Sequence, residues 1–138
     1  MITKIRHIGI IVNDIAEAIE PFKKLLELKD EDIFIMPPLG TEAESRFAFV
    51  LVGGIELEMI QPISEHFKKF IGNQPEGLNH IAYVVENIEE SVRLLQEKGC
   101  RLGHVTKDGI LDMGRSRVAY FDPATTGGML IELVEPKK

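Results

Sequence analysis

HIGIIVNDIAEAI at residues 7–19 and HIAYVVENIEESV at residues 80–92 are two versions of one pattern, separated by 73 positions. GIELEMIQP from Gly54 and GMLIELVEP from Gly128 repeat in the same way, at an offset of 74. In each half a histidine lies early in an apolar run, and a glutamate lies inside the later run. We therefore interpret the chain as an internal duplication, from which both the fold and a candidate site can be predicted.

The composition indicates a small globular protein. A chain of 138 residues with 44% hydrophobic residues is long enough for one compact domain. The net charge of −6 disfavours binding to nucleic acid or to an anionic membrane, because both depend on many Lys and Arg contacts to phosphate. A single cysteine permits no intrachain disulfide, and no apolar segment has the length that crosses a membrane. We therefore expect a cytoplasmic protein with no nucleic-acid or membrane partner.

Each half of the sequence predicts the element order β-α-β-β-β. A helix follows the first strand of each half and is capped by Asp14 or Asn87, with a glutamate three residues later. The fold class is therefore α+β, with two tandem βαβββ modules that form a cupped mixed sheet with helices outside. The single domain, 1–138, consists of module 1 (1–62), a linker (63–76) and module 2 (77–138). The predicted strands are residues 5–12, 33–36, 47–52, 55–60, 81–85, 101–106, 118–121 and 129–134.

The duplication places two imidazoles and two carboxylates at equivalent positions. A single histidine in an apolar strand is usually a core residue, but here each half keeps one. Glu132 stands between Leu130 and Val134 on one face of a predicted strand, where burial of an uncompensated carboxylate is costly. The sequence therefore predicts a site for one divalent metal ion, either zinc, cobalt, nickel or manganese. The predicted ligands are His7, Glu58, His80 and Glu132.

Other interpretations of these and nearby residues remain open. The two glutamates alternatively pair with basic residues, while the histidines only form hydrogen bonds. His66 and His104 have no counterpart in the other half, and we interpret them as surface or loop residues. Arg115 and Arg117 are equally consistent with contacts to an anionic substrate and with solvated charges at a strand edge.

The repeated motifs resemble the vicinal oxygen chelate superfamily, which contains glyoxalase I, bleomycin-resistance proteins, extradiol dioxygenases and the methylmalonyl-CoA epimerases. The resemblance covers nearly the whole chain and is strongest to the epimerases. The family's metal ligands fall on the four residues that the repeat selects. The segments that resemble the family are HIGIIVNDI from His7, ELEMIQP from Glu56, GLNHIAYVVENIEES from Gly77, LLQEKGCRL from Leu94 and GGMLIELVEP from Gly127.

The resemblance implies a metal-dependent epimerase or isomerase that removes an α-proton from an acyl-CoA thioester, such as methylmalonyl-CoA, through a metal-stabilised enolate. It implies that Glu132 is a base as well as a ligand, that Glu42 or Glu44 is the acid on the opposite face, and that the protein is a homodimer. The alternative enzyme is a glyoxalase I-type lactoylglutathione lyase that acts on a thiol hemithioacetal. The alternative of another class is a non-catalytic small-molecule-binding protein, like the drug-resistance members.

Overall fold

The structure is a computed structural model that describes residues 1–103 and 109–138. The chain divides into two compact units, of which unit 1 is Met1–His7 with His80–Lys138 and unit 2 is Ile8–Asn79. The first strand therefore contributes to both units. The elements are β1 (Ile2–Ile11), α1 (Ile15–Leu25), β2 (Ile33–Met36), β3 (Ser45–Val52), β4 (Ile55–Pro62), α2 (Glu65–Phe70), β5 (Gly77–Val85), α3 (Ile88–Glu97), β6 (Leu111–Asp112), β7 (Ser116–Phe121) and β8 (Leu130–Pro136).

The strands form a mixed sheet in the order β2-β3-β4-β1-β5-β8-β7-β6. β5 and β8 pair in parallel, whereas β3 pairs with β4 and β7 pairs with β8 in antiparallel orientation. Within the described residues, eight strands and three α-helices confirm the predicted α+β class and the order β-α-β-β-β in each half. None of the helices in these parts of the chain is both long and apolar enough to cross a membrane.

In unit 2, helix α1 packs its apolar stripe against β3 and β4. The Asp14 carboxylate caps the helix by accepting the backbone N–H of Ala16 at 2.8 Å. Ile15 and Ile19 lie four residues apart, on one face of the helix, and contact a core that includes Met59. The Asp14 cap that the sequence predicts is therefore present, and the helix covers one face of the β3–β4 pair.

The β3–β4 hairpin turns at two glycines. Gly53 and Gly54 have φ values of 57° and 87°, and Val52 pairs directly with Ile55. Positive φ at both central residues is typical of a two-residue type I′ turn, which glycine adopts without steric cost. The turn sets the register of the hairpin, and with it the direction in which every side chain of β4 points.

In unit 1, helix α3 repeats this packing. The Asn87 side chain accepts the backbone N–H of Glu90 at 2.9 Å and caps the helix. Ile88 and Val92 then pack with Phe121 and other apolar residues of β7 and β8. Helix α3 therefore covers one face of the β7–β8 pair, and the side chains on the opposite face can contact other residues.

Residues 101–103, the described part of the strand that we predicted at 101–106, do not form a strand. Leu102 forms only an isolated bridge with Phe121, and residues 104–108, which include His104, lie outside the described residues. The sixth strand is instead Leu111–Asp112, which is too short to give an alternating sequence pattern. The linker contains α2, while the extent of the two predicted modules stays a prediction.

Candidate metal centre

Three buried polar side chains meet in unit 1: His7 from β1, His80 from β5 and Glu132 from β8. Their exposed fractions are 9%, 3% and 4%. Successive residues of a strand point to opposite faces, so that Leu130, Glu132 and Val134 share one face of β8. All three are buried, and the predicted placement of Glu132 among apolar neighbours is therefore observed.

The contacting atoms of these side chains form a nearly equilateral triangle. Nε2 of His7 lies 3.0 Å from Nε2 of His80 and 3.0 Å from Oε2 of Glu132. The third side, from Nε2 of His80 to Oε2 of Glu132, is 3.1 Å. The two imidazole rings meet edge to face, with an interplanar angle of 83°.

Protons alone cannot satisfy all three contacts at once. An ionised carboxylate only accepts hydrogen bonds, and each Nε2 carries at most one proton. If both nitrogens are protonated, the contact between His7 and His80 brings two N–H groups together. If only one is protonated, the other nitrogen directs a lone pair at another lone pair. At most two sides of the triangle are therefore hydrogen bonds in any one protonation state.

The same triangle fits the donor set of a divalent metal ion. Ligand atoms that lie about 2.1 Å from a common ion are about 3.0 Å apart when they meet at right angles, and about 3.4 Å apart in a tetrahedron. The observed separations of 3.0–3.1 Å lie at the right-angle spacing. Two imidazole nitrogens and one carboxylate oxygen also suit zinc, cobalt, nickel and manganese.

Glu132 is held in its charged form. Burial by itself raises the pKa of this carboxyl, but the hydrogen bonds and charges of His7 and His80 outweigh burial and lower the pKa from 4.5 to about 2. The carboxylate is therefore ionised at neutral pH, as a metal ligand must be.

Tyr120 is a neighbour of this cluster that we did not predict. Its ring lies 5.9 Å from the ring of His80, and it is the register partner of Glu132. Phe49 has the equivalent place in unit 2, because it is the register partner of Glu58. The signal for Tyr120 was present in the sequence, in the resemblance between RFAFV at 46–50 and RVAYF at 117–121.

The other three predicted site residues belong to unit 2. Glu58 is half-buried on β4 and stays a predicted ligand through its repeat position. Glu42 and Glu44 are exposed, on the loop between β2 and β3. The backbone oxygen of Glu44 accepts the N–H groups of Ile63 and Ser64, each at 2.9 Å. The catalytic roles of Glu42 and Glu44 also remain predictions.

The two arginines that we considered for anion binding differ in their surroundings. Arg117 donates to Glu135 Oε1 through Nε at 3.1 Å and through Nη2 at 2.6 Å, and its Nη2 also lies 3.0 Å from Glu89 Oε2. Its guanidinium is therefore engaged by two carboxylates of its own unit. Arg115 and His66 are exposed.

Comparisons with known proteins add to this geometry. The family model described as the Glyoxalase/Bleomycin resistance protein/Dioxygenase superfamily matches residues 6–121. The uncharacterized protein YqjC of Bacillus subtilis is 27% identical over 97% of this chain and 93% of that protein. Mitochondrial methylmalonyl-CoA epimerase of Bos taurus is 25% identical over 94% of this chain and 73% of that protein.

The chain is also similar in structure to a solved epimerase. The crystal structure of methylmalonyl-CoA epimerase from Mycobacterium tuberculosis superposes with a TM-score of 0.71 and 26% identity. The superposition covers 99% of this chain and 90% of that one. The likeness therefore extends over the whole fold rather than over one motif.

Proposed function

The chain belongs to the Glyoxalase/Bleomycin resistance protein/Dioxygenase superfamily, and from that premise we propose that it is a metal-dependent epimerase of an acyl-CoA thioester such as methylmalonyl-CoA. Epimerases of this substrate are among its relatives and structural neighbours, which supports an epimerase-like activity. The single observation that favours a metal-dependent reaction is the triangle of His7, His80 and Glu132.

These three side chains would hold the ion, and Glu58 is proposed as the fourth ligand because it repeats the position of Glu132. The bound ion supplies positive charge, which stabilises negative charge that develops on a substrate oxygen. Both histidines are buried, and close packing restricts the rotation of their rings. The protein therefore supplies a preorganised donor set, at little cost in side-chain ordering when the ion binds.

Glu132 is proposed as the base that accepts the α-proton. It is ionised at neutral pH, as a base must be. Because a carboxylate is a weak base, the transfer needs an α-proton that is already acidic, as it is beside a thioester carbonyl. Inversion at carbon also requires that a proton return to the opposite face, and Glu42 or Glu44 is proposed as the acid that delivers it.

The test of this function is the incorporation of deuterium at the α-carbon of methylmalonyl-CoA in D2O. Metal-free protein is compared with protein to which Co²⁺, Zn²⁺ or Mn²⁺ is added. We expect incorporation that depends on the added metal. If the protein binds one metal ion per chain and no deuterium enters, the acyl-CoA substrate is wrong. Glyoxalase-type hemithioacetals are then the next substrates to test.

The predicted homodimer is a separate proposal, which light scattering of the purified protein tests directly. A particle mass of about twice the 15.5 kDa of one chain is expected.

A further inference from the structure

Arg46 is a buried arginine whose described contacts are all to neutral oxygens. It lies on β3 with 7% of its surface exposed. Nε donates to the backbone oxygen of Pro37 at 3.0 Å, and Nη2 donates to the backbone oxygen of Thr41 and lies 3.4 Å from the Thr41 hydroxyl. Among the described residues, Arg46 forms no ion pair. Its guanidinium therefore contacts the loop that follows β2 at two points.

The equivalent arginine of the other half has different partners. Arg46 opens RFAFV and Arg117 opens RVAYF, and each is the first residue of its repeat. Arg46 is the register partner of Gln61, whereas Arg117 is the register partner of Glu135. The same strand position thus faces a neutral amide in unit 2 and a carboxylate in unit 1.

The second carboxylate that engages Arg117 is also missing from the first half. Glu89 contacts Arg117 in unit 1, and the residue 73 positions earlier is Ala16. Both of these positions hold uncharged residues in unit 2, and the guanidinium of Arg46 donates to backbone oxygens of the loop instead. A buried cation must find such acceptors, because leaving it unsatisfied is costly.

The loop that Arg46 contacts also contains the two candidate acids. Arg46 ties the loop at Pro37 and Thr41, while the backbone oxygen of Glu44 accepts two N–H groups and ties its other end. Glu42 lies between these two attachments. Thr41, Glu42, Glu44 and Arg46 are among the residues that line an open cavity of about 670 Å³ within unit 2.

We propose that Arg46 is a positioning residue, which holds this loop so that Glu42 or Glu44 delivers the second proton of the epimerisation. The proposal rests on the proposed function for its catalytic consequence. Its structural part, the attachment of the loop by one buried guanidinium, is independent of the substrate. Loss of the attachment should affect proton transfer on one face of the substrate only, because Glu132 serves the other face.

The test compares Arg46→Gln with Arg117→Gln, which removes the equivalent arginine from the other half. Backbone amide hydrogen exchange is followed across residues 39–45, and deuterium incorporation is measured from each separated stereoisomer of methylmalonyl-CoA. For Arg46→Gln we expect faster exchange of the loop. We also expect incorporation from one stereoisomer to fall about 10–100-fold relative to the other, as for a misplaced catalytic group. For Arg117→Gln, the loop exchange and the ratio between the stereoisomers should be unchanged.

A second variant, Gln61→Glu, keeps Arg46 in place and guards against a loss of folding. It offers Arg46 the carboxylate that Glu135 offers Arg117, and it keeps an oxygen for the N–H of Ile15, which Gln61 now accepts at 3.0 Å. We expect the same changes in loop exchange and in the stereoisomer ratio, in a protein that retains its fold and its metal affinity.

Two results would overturn the proposal. One is an unchanged hydrogen exchange of residues 39–45 in folded Arg46→Gln and Gln61→Glu. The other is an equal loss of incorporation from both stereoisomers, which indicates a general structural effect. If the unaltered protein shows no deuterium incorporation, the proposed function fails, and the loop exchange alone then decides whether Arg46 holds the loop.

Discussion

Gln61 and Glu135 make the same contact in the two halves of the chain, since each offers a side-chain oxygen to the first backbone N–H of a helix. Gln61 Oε1 accepts from Ile15 at 3.0 Å, and Glu135 Oε2 accepts from Ile88 at 2.8 Å. The two acceptors lie 74 positions apart, at the offset of the repeated strands. The duplication has therefore preserved a contact between the last strand and the helix of each half, and not only the candidate metal ligands.

Glu135 makes the stability of unit 1 depend on pH. The hydrogen bonds that Arg117 donates lower the pKa of Glu135 and of Glu89 below the ordinary value of 4.5. A carboxyl whose pKa is lowered by folding stabilises the native state above its unfolded pKa, and this stabilisation is lost as the pH falls through the lowered value. Glu135→Gln should therefore reduce the free energy of unfolding at neutral pH, by an amount that shrinks below about pH 4.5. Urea unfolding at a series of pH values measures this.

The control for this prediction is the same substitution in an Arg117→Gln background. Without the guanidinium, the pH dependence of the Glu135→Gln effect should be smaller, and the part that remains comes from the N–H of Ile88, which also lowers the pKa of Glu135. An effect of Glu135→Gln that is independent of pH when Arg117 is present would contradict the prediction.

Ile15 and Ile88 should contribute equally to the two cores. Both are the first residue of a helix, both are fully buried, and they occupy equivalent repeat positions. Replacement of either by alanine removes buried apolar surface and leaves a cavity, which costs about 2–5 kcal/mol of unfolding free energy. Chemical denaturation measures the loss. Leu25→Ala is the control, because Leu25 is 78% exposed and should cost less than about 0.5 kcal/mol.

The local pattern of the sequence was sufficient to predict most elements and the candidate ligands. The caps at Asp14 and Asn87 and the alternation around Glu132 depend on residues within one or two turns or pleats, and all three are observed. The repeat then selected His7 and His80 from among the histidines. To predict that these histidines meet Glu132, it was enough to assume that the repeated strands occupy equivalent positions in the two halves of the sheet.

The remaining features depend on long-range pairing, which leaves no local signal. The beginning of β1, up to His7, belongs to the same unit as the second half of the chain, although no property of residues 1–7 indicates it. The different partners of Arg46 and Arg117 follow from residues that lie opposite them in the sheet. Predicting these partners would have required the register of β3 with β4 and of β7 with β8 in addition to the repeat.

Removal of either buried histidine should abolish tight metal binding. His7→Ala or His80→Ala deletes one corner of the triangle and leaves two donors. We expect the metal affinity to fall by more than the roughly 10–100-fold that loss of a supporting contact to a metal ligand costs. Competition against a chromophoric chelator measures the affinity and the number of ions per chain. His66→Ala, which removes an exposed histidine from α2, should leave both unchanged.

Glu132→Gln should separate the two proposed roles of this residue, as metal ligand and as base. The amide oxygen of glutamine still coordinates a metal weakly, but glutamine cannot accept the α-proton. Deuterium incorporation should therefore fall by about 10²–10⁴-fold, the usual contribution of a general base, while part of the metal binding remains. Both quantities are measured on the same preparation, with Glu135→Gln as the control from the same strand. Full incorporation by Glu132→Gln would remove Glu132 from proton transfer. Loss of metal and incorporation together, restored by excess metal, would leave it as a ligand only.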